Sequence, residues 1–364
     1  MCFNPNVTTL VLNKIWLDCD PVRPGHDDAC AILLATSLPS DINLVGLSTV
    51  HGNASGECTL SNAIRLIHMF SPQHDALVVH PGAPKPLIRP SRADPEIHGP
   101  DGLGGVVGLP PLNHPVILSR LESSHTANAV EGLAAAAKLA ISSGYKIHLV
   151  ATGPLTNLAL FISVYPYLLS AFEEVCFMGG GVGIGNRGAV AEFNILCDPE
   201  AAQIVVDAPI RKTMIPLNVT HKAIVTETLQ RRLLNECSER GLSNTTTPLR
   251  HTLHSIVSYF AASYKSVFGF NDGPPLHDAL TIAYVARPEL FRATRYRVDV
   301  DCISTLGTGQ TVVDAFNYRD YDDSWGPTGK NVLVAEGIDV PAFFELFFEC
   351  VDRCDTVSRL NLAA

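Results

Sequence analysis

The sequence predicts an α/β fold, an open, mostly parallel (mixed) sheet flanked by helices, and three observations carry that reading. Short apolar runs with β-branched residues alternate with longer helical stretches along the 364 residues. Each predicted strand breaks into a Gly-, Asp- or Asn-rich turn, as strands of a parallel sheet do when their functional loops gather at one edge. Hydrophobic residues make up 46% of the chain against 17% charged, enough to bury a large core.

The elements follow in order. Val11 to Leu17 reads as a buried strand and Ala29 to Ala35 as the first turns of a helix. Ile42 to Val50 is a second buried strand ending in His51-Gly52-Asn53, followed by a helix from about Cys58 to Phe70 with Ile64, Ile67 and Met69 on its apolar side. Residues 77–80 make a short third strand. The Pro/Gly-rich stretch 81–115 reads as surface loop, placed to serve as a substrate-facing flap.

An alanine-rich helix, 126–142, leads into the strand Lys146 to Ala151, which breaks at Thr152-Gly153-Pro154. The strand Glu174 to Met178 opens into Gly179-Gly180-Gly181. Then come a helix at 199–207, a strand from Met214 to Leu217, and a helical region at 226–270 interrupted near 241–248. A helix starts at Asp278, hairpin strands fill 295–335, and an amphipathic helix at 340–353 closes the fold. With no internal repeat and no linker, one domain over 11–356 is expected after an N-terminal extension, 1–10.

Charge and cysteine usage narrow the function. A net charge of −10 with no Lys/Arg cluster argues against nucleic-acid and anionic-membrane partners and favours a small neutral or cationic ligand. The ten cysteines include no Cys-x-x-Cys pair, which suits buried thiols in a reduced, cytoplasmic setting better than a zinc site. No basic region followed by an apolar run opens the sequence, and no stretch is apolar enough to span a bilayer.

Four aspartates, Asp18, Asp20, Asp27 and Asp28, crowd the turn between the first strand and the first helix. Asp27 and Asp28 alone could be ordinary first-turn acids complementing a helix dipole. Four together repel one another, and such a cluster persists when a hard cation neutralises it or when one member acts as a base. Their position at the carboxyl end of a strand is where ligands bind in open α/β sheets.

Other motifs stand beside it in the sequence. Gly183-Ile184-Gly185-Asn186-Arg187-Gly188 has dinucleotide-site spacing, but the next predicted helix starts only near Asp198-Pro199, too late for the glycines to open it. Asp18-Cys19-Asp20 resembles the nucleophile loop of haloacid-dehalogenase-type phosphatases, without the downstream acidic metal loop of that family. His277-Asp278 reads as a capped helix start or as part of a site, and Glu192 and Asn194 read as turn residues or as ligand contacts. Shared placement after predicted strands makes one polar pocket of them, suited to a polyhydroxylated ligand held on a hard cation.

Seven ordered blocks resemble the inosine–uridine-type nucleoside hydrolases. They are Asp18-Cys19-Asp20-Pro21…Gly25-His26-Asp27-Asp28, Ser48-Thr49-Val50-His51-Gly52-Asn53, Ile97-His98-Gly99…Gly102, Ala151-Thr152-Gly153-Pro154-Leu155-Thr156-Asn157, Met178-Gly179-Gly180-Gly181…Gly185-Asn186, Ala191-Glu192-Phe193-Asn194…Asp198, and His277-Asp278-Ala279. The resemblance implies a Rossmann-like nucleoside hydrolase fold and calcium-dependent cleavage of the N-glycosidic bond of ribonucleosides, inosine or uridine among them. It implies calcium ligands at Asp20, Asp28, the Thr152 carbonyl and Asp278, with Asp20 also the base that deprotonates water. Asp27 and Asn53 would hold the ribose 2′- and 3′-hydroxyls. Asn186, Glu192 and Asn194 would take its 3′/5′ side, with Phe193 and Met178 packed alongside. His277, with a pKa expected near working pH, would donate to the leaving base, and His98 would face it; His251, Tyr259 and Tyr264 lie in the segment that resembles the cover over the base. A homodimer or homotetramer is implied as well.

The sequence departs from the family pattern at one place. Family members join the first proline directly to glycine, whereas Val22-Arg23-Pro24 intervene here. Three residues add up to roughly 10 Å of reach between two expected calcium ligands. Two readings therefore stand: a calcium-dependent N-ribohydrolase whose extra residues loop out, and a catalytically impaired homologue that binds nucleosides.

Overall fold

The computed structural model describes residues 12–21, 26–38, 40–92, 108–235 and 246–362. The expected N-terminal extension, the Val22–Pro24 insertion and His98 lie outside the described residues.

The strands are β1 (Asn13–Cys19), β2 (Ile42–Thr49), β3 (Val79–Pro81), β4 (Ile147–Ala151), β5 (Phe172–Met178), β6 (Lys212–Ile215), β7 (Phe291–Tyr296), β8 (Val298–Val300), β9 (Thr311–Val313) and β10 (Val332–Ile338). Eight form one sheet in the order β3-β2-β1-β4-β5-β6-β10-β7, and β8 and β9 pair as a separate two-stranded sheet. All neighbours in the large sheet run parallel except β10 and β7, so the sheet is open and mixed, as expected. The order steps outward from β1 in one direction to β3 and from β4 in the other. The crevice beyond the carboxyl ends of β1 and β4 is thus a topological switch point, where α/β sheets place ligands.

Alternation along β1 ties the two layers together. Ile15, Leu17 and Cys19 belong to a core under the helices His26–Ser37, Gly56–Phe70, Ala279–Ala286 and Val340–Val357, whereas Trp16 points into the core under Ala129–Ser143, Thr156–Val164 and Pro199–Asp207. Trp16 pairs with Gly46 across β2, and a Cβ at Gly46 would stand 2.0 Å from the indole, so glycine is required there by close approach.

Local chemistry explains where the elements depart from the periodicity. The strand expected to run through Leu217 ends at Ile215, because Pro216 has no N–H for the ladder, and the short helix Leu217–Thr220 follows. The helix Pro115–Ser124 falls at the end of a stretch that reads as loop; only Ile117, Arg120 and Ser124 are buried, leaving no apolar stripe to read. The alanine-rich helix starts at Ala129 rather than 126, since Asn128 and Glu131 close a reciprocal capping box. The expected hairpins at 295–335 reduce to the β8–β9 pair, while β7 crosses to β10.

Candidate active site

Loops leaving β1, β2, β4, β5 and β6 meet at the switch point, and β1 and β4 are stitched beyond their ladder by the Thr152 amide donating to the Asp18 carbonyl at 2.8 Å. Asp18 itself is fully buried. Its Oδ1 accepts from the Ser48 hydroxyl at 2.5 Å and from Asn157 Nδ2 at 2.8 Å, and Ser48 in turn accepts from Trp16 Nε1. Burial pushes its pKa up to about 7 despite these donors. A side chain enclosed in this way supports the turn and has no access to a phosphorus centre.

Asp20 is also fully buried, and its surroundings are tighter. Oδ2 accepts from the Asn53 backbone N–H at 2.8 Å, whereas Oδ1 has no hydrogen-bond partner among the described residues. Gly52 and Gly153 close over the carboxylate: added Cβ atoms would lie 2.1 Å from Oδ2 and 2.7 Å from Oδ1. Asp28 accepts the Thr152 hydroxyl at 2.8 Å and also a backbone hydrogen bond from Asp20, so these two aspartates adjoin each other although the insertion separates them in sequence. Asp278 is buried at the start of the helix Ala279–Ala286 and caps nothing with its side chain.

The electrostatics mark these groups as one cluster. Burial and then the charge of Asp28 raise the pKa of Asp20; burial and the charges of Asp28, Asp27, Asp20 and Glu192 raise that of Asp278. Burial lifts Asp28 to about 7 and Asp27 to about 8. A hard cation would relieve this repulsion, and the available donors are all oxygens: three carboxylates and the Thr152 carbonyl, to which Asn194 Nδ2 donates at 2.8 Å. Asp20 Oδ1, buried and partnerless with Gly153 close above it, is an oxygen that fits such an ion. Among the described residues no three His, Cys, Asp or Glu side chains already converge as a metal site; Asp20 and Asp28 are instead turned to protein donors.

The residues expected at the ribose surround the cluster. Asp27 Oδ1 accepts the His277 backbone amide at 2.9 Å. Glu192 holds the short helix Phe193–Cys197 by its N-terminus, Oε1 accepting from Asn194 N at 2.9 Å and Oε2 from Gly180 N at 2.9 Å and Ile195 N at 3.2 Å. Asn186 Oδ1 accepts from Phe193 N, and Asn194 Nδ2 also reaches the carbonyl and sulfur of Met178. The glycine-rich run 183–188 does not open a helix, which begins only at Phe193, so it is no pyrophosphate cradle.

Beyond Asp27 lies a cavity of about 230 Å³ lined by Asn186, His221, Tyr264, Phe268, Phe270 and His277, with Gly185. His277 is buried, Nδ1 meeting the Thr220 hydroxyl at 2.7 Å and Nε2 the Tyr264 hydroxyl at 3.0 Å. Burial, then His221 and His26, hold its pKa well below the usual histidine value. The ring is thus neutral at pH 7, which differs from the expectation of a pKa near working pH, and the physical reason is its enclosure. Of the three helix residues expected over the base, Tyr264 lines the cavity, Tyr259 packs on Phe260, and His251 is exposed in a separate cleft beside Gly108 and Leu360.

Residues 15–345 match the family model described as inosine-uridine preferring nucleoside hydrolase. The chain belongs to that family. It is 35% identical to a probable ribonucleoside hydrolase of Dictyostelium discoideum over 94% of this chain and 95% of that one. Against the uridine nucleosidase of Saccharomyces cerevisiae it is 32% identical over 95% and 98% of the two chains. A solved structure of a purine-preferring ribonucleoside hydrolase from Gardnerella vaginalis superposes with a TM-score of 0.77 at 27% identity, covering 95% of this chain and all of that one. The chain is accordingly a hydrolase of N-glycosyl compounds.

For this nucleoside hydrolase the sequence reading missed His221, Phe268 and Phe270. A signal for His221 existed, since it follows β6 just as Asn53 follows β2 and Thr152 follows β4. Phe268 and Phe270 flank a helix end at Gly269, φ +74°, and nothing in their spacing marks them as cavity residues. Among the described residues no helix is long and apolar enough to cross a membrane.

Proposed function

We propose that this family member hydrolyses ribonucleosides, with uridine or inosine as substrate, to ribose and free base, and that it does so with calcium held by Asp20, Asp28, the Thr152 carbonyl and Asp278. The observation that carries the reading is Asp20 Oδ1, buried without a hydrogen-bond partner beside Asp28 and Asp278. When bound, calcium would supply a Lewis acid that acidifies water and a flexible oxygen shell able to include sugar hydroxyls.

The chain's own residues divide the remaining work. Asp20 accepts the proton of the attacking water. Asp27 and Asn53 hold the 2′- and 3′-hydroxyls; Asn186, Glu192 and Asn194 hold the opposite side of the sugar, packed by Phe193 and Met178. As the C–N bond breaks, positive charge spreads over the ribosyl ring, and carboxylates fixed in a dry site stabilise it more than water would. The base leaves into the aromatic cavity, where neutral His277 orients the Tyr264 hydroxyl toward it. Relatives named as uridine nucleosidase and as purine-preferring hydrolase support both base classes. Family resemblance also supports a homodimer or homotetramer, which sedimentation would measure, and a cytoplasmic enzyme.

The test is calorimetric calcium titration together with inosine and uridine hydrolysis, on the intact chain and on one lacking Val22-Arg23-Pro24. Calcium binding with turnover in the intact chain supports the proposal. Turnover that appears only after the deletion makes the natural chain an impaired, nucleoside-binding homologue.

A further inference from the structure

Two imidazoles border the aromatic cavity, and their environments differ in one respect. Both ring nitrogens of His277 are committed, one to Thr220 and one to Tyr264. His221 is half-buried, its ring centroid 5.6 Å from His277 and 5.1 Å from Phe270, and no described residue hydrogen-bonds its ring nitrogens. A ring packed edge-on between aromatic neighbours, lining a cavity with its polar atoms unspent, is built to meet something that enters that cavity.

The backbone under His221 is fixed. Leu217 N donates to the Gly180 carbonyl at 3.0 Å, and Asn218 exchanges two hydrogen bonds with Val182, at 2.8 and 3.1 Å. His221 N closes the helix on the Leu217 carbonyl. The turn that presents His221 is thereby locked to the loop that carries Asn186, another residue lining the same cavity. Placement of this kind spends its ordering entropy on folding, so a contact made there goes to affinity and selectivity.

We propose that His221 donates a hydrogen bond to a ring carbonyl of the nucleobase, and so makes this site selective for bases with a lactam edge. The inference rests on the hydrolase reading above. Tyr264, Phe268 and Phe270 offer faces and edges that any planar base satisfies, so apolar contact alone selects little. A neutral imidazole carries one N–H and can turn it to a carbonyl oxygen. Negative charge grows on that oxygen as a lactam base departs, so the bond strengthens toward the transition state and acts on kcat as well as KM. No proton changes hands in this step.

The experiment compares the intact chain with His221→Phe and His221→Leu, each checked for folding by circular dichroism, on uridine, inosine and 4-nitrophenyl β-D-ribofuranoside. The aryl riboside shares the sugar and has a leaving group with no lactam edge. The expected result is that kcat/KM for uridine or inosine, relative to the aryl riboside, falls roughly 10- to 100-fold in a folded variant. Unchanged ratios, whether activity is kept or lost equally on all substrates, overturn the inference and make His221 a packing residue. Should the phenylalanine variant not fold, the leucine variant is read by the same ratio. An intact chain that cleaves the aryl riboside but neither nucleoside overturns the inference together with the uridine-or-inosine substrate reading, and leaves ribosyl hydrolysis alone standing. Cleavage of none of the three overturns both.

Discussion

The backbone amide of His277 donates to the Asp27 carboxylate at 2.9 Å across 250 residues of sequence. This contact joins the acidic turn after β1 to the start of the helix Ala279–Ala286, and with it the carboxylate cluster to the aromatic cavity. It also brings Asp278 beside Asp28, since each is the next residue in its own segment.

Asp27→Ala removes both the proposed ribose contact and the partner of that amide. We expect kcat/KM for uridine or inosine to fall at least about 100-fold, with a stability loss of only about 1 kcal/mol, the worth of the one hydrogen bond to the His277 amide. Steady-state kinetics and urea denaturation check it, and a stability loss large enough to account for the lost activity would point to a purely structural role.

Asp20→Asn preserves shape and removes the proposed acceptor of the water proton. Turnover should drop roughly 100- to 10,000-fold, while the chelated protein becomes no less stable, since one of several mutually repelling carboxylates has gone. A variant that keeps more than about a tenth of the parent rate would assign the base elsewhere.

Without the proposed calcium, stability should depend on pH in a defined direction. Asp28 and Asp27 titrate at about 7 and 8 in the folded chain against an ordinary value of 3.8, so the folded state holds protons that the unfolded state releases. Their contribution is fully present below about pH 4 and lost as pH rises through 7 to 8. With a chelator, the melting temperature should fall across pH 5 to 8. With excess calcium, which binds the ionised carboxylates, the fall should flatten; parallel curves would remove the metal from this cluster.

Gly46→Ala tests the packing beneath the site. A Cβ 2.0 Å from the Trp16 indole forces the ring to move and disturbs its hydrogen bond to Ser48, which steadies Asp18. A destabilisation of about 1–3 kcal/mol is expected, measured by denaturant titration, and a neutral outcome would mean that β1 and β2 separate easily.

Much of this was legible from particular residues. Apolar runs broken by Asp20, Asn53, Thr152 and Met178-Gly179 set the strands and their functional ends, because a parallel sheet must bury both faces and leave its loops to carry polar chemistry. The alternation of Ile15, Trp16 and Leu17 is a local property with a period of two, visible without coordinates. The sheet order, by contrast, depends on which strands pair across long separations. The enclosure that neutralises His277 comes from Thr220, Tyr264 and His221, contributed by different segments.

The acidic turn itself shows the division. Its composition announces a cation or a base, since four carboxylates so near one another are costly without either. That Asp18 Oδ1 takes donors from Ser48 and Asn157, that Asp20 Oδ2 takes the Asn53 amide, and that Asp28 adjoins Asp20 across the insertion were decided by β2 and β4 closing on either side of β1. Sequence by itself determined the fold class and the chemical inventory, which follow from periodicity and residue type. Tertiary structure alone decided which members of that inventory are enclosed and by what, because their hydrogen-bond partners come from segments 30 to 139 residues away.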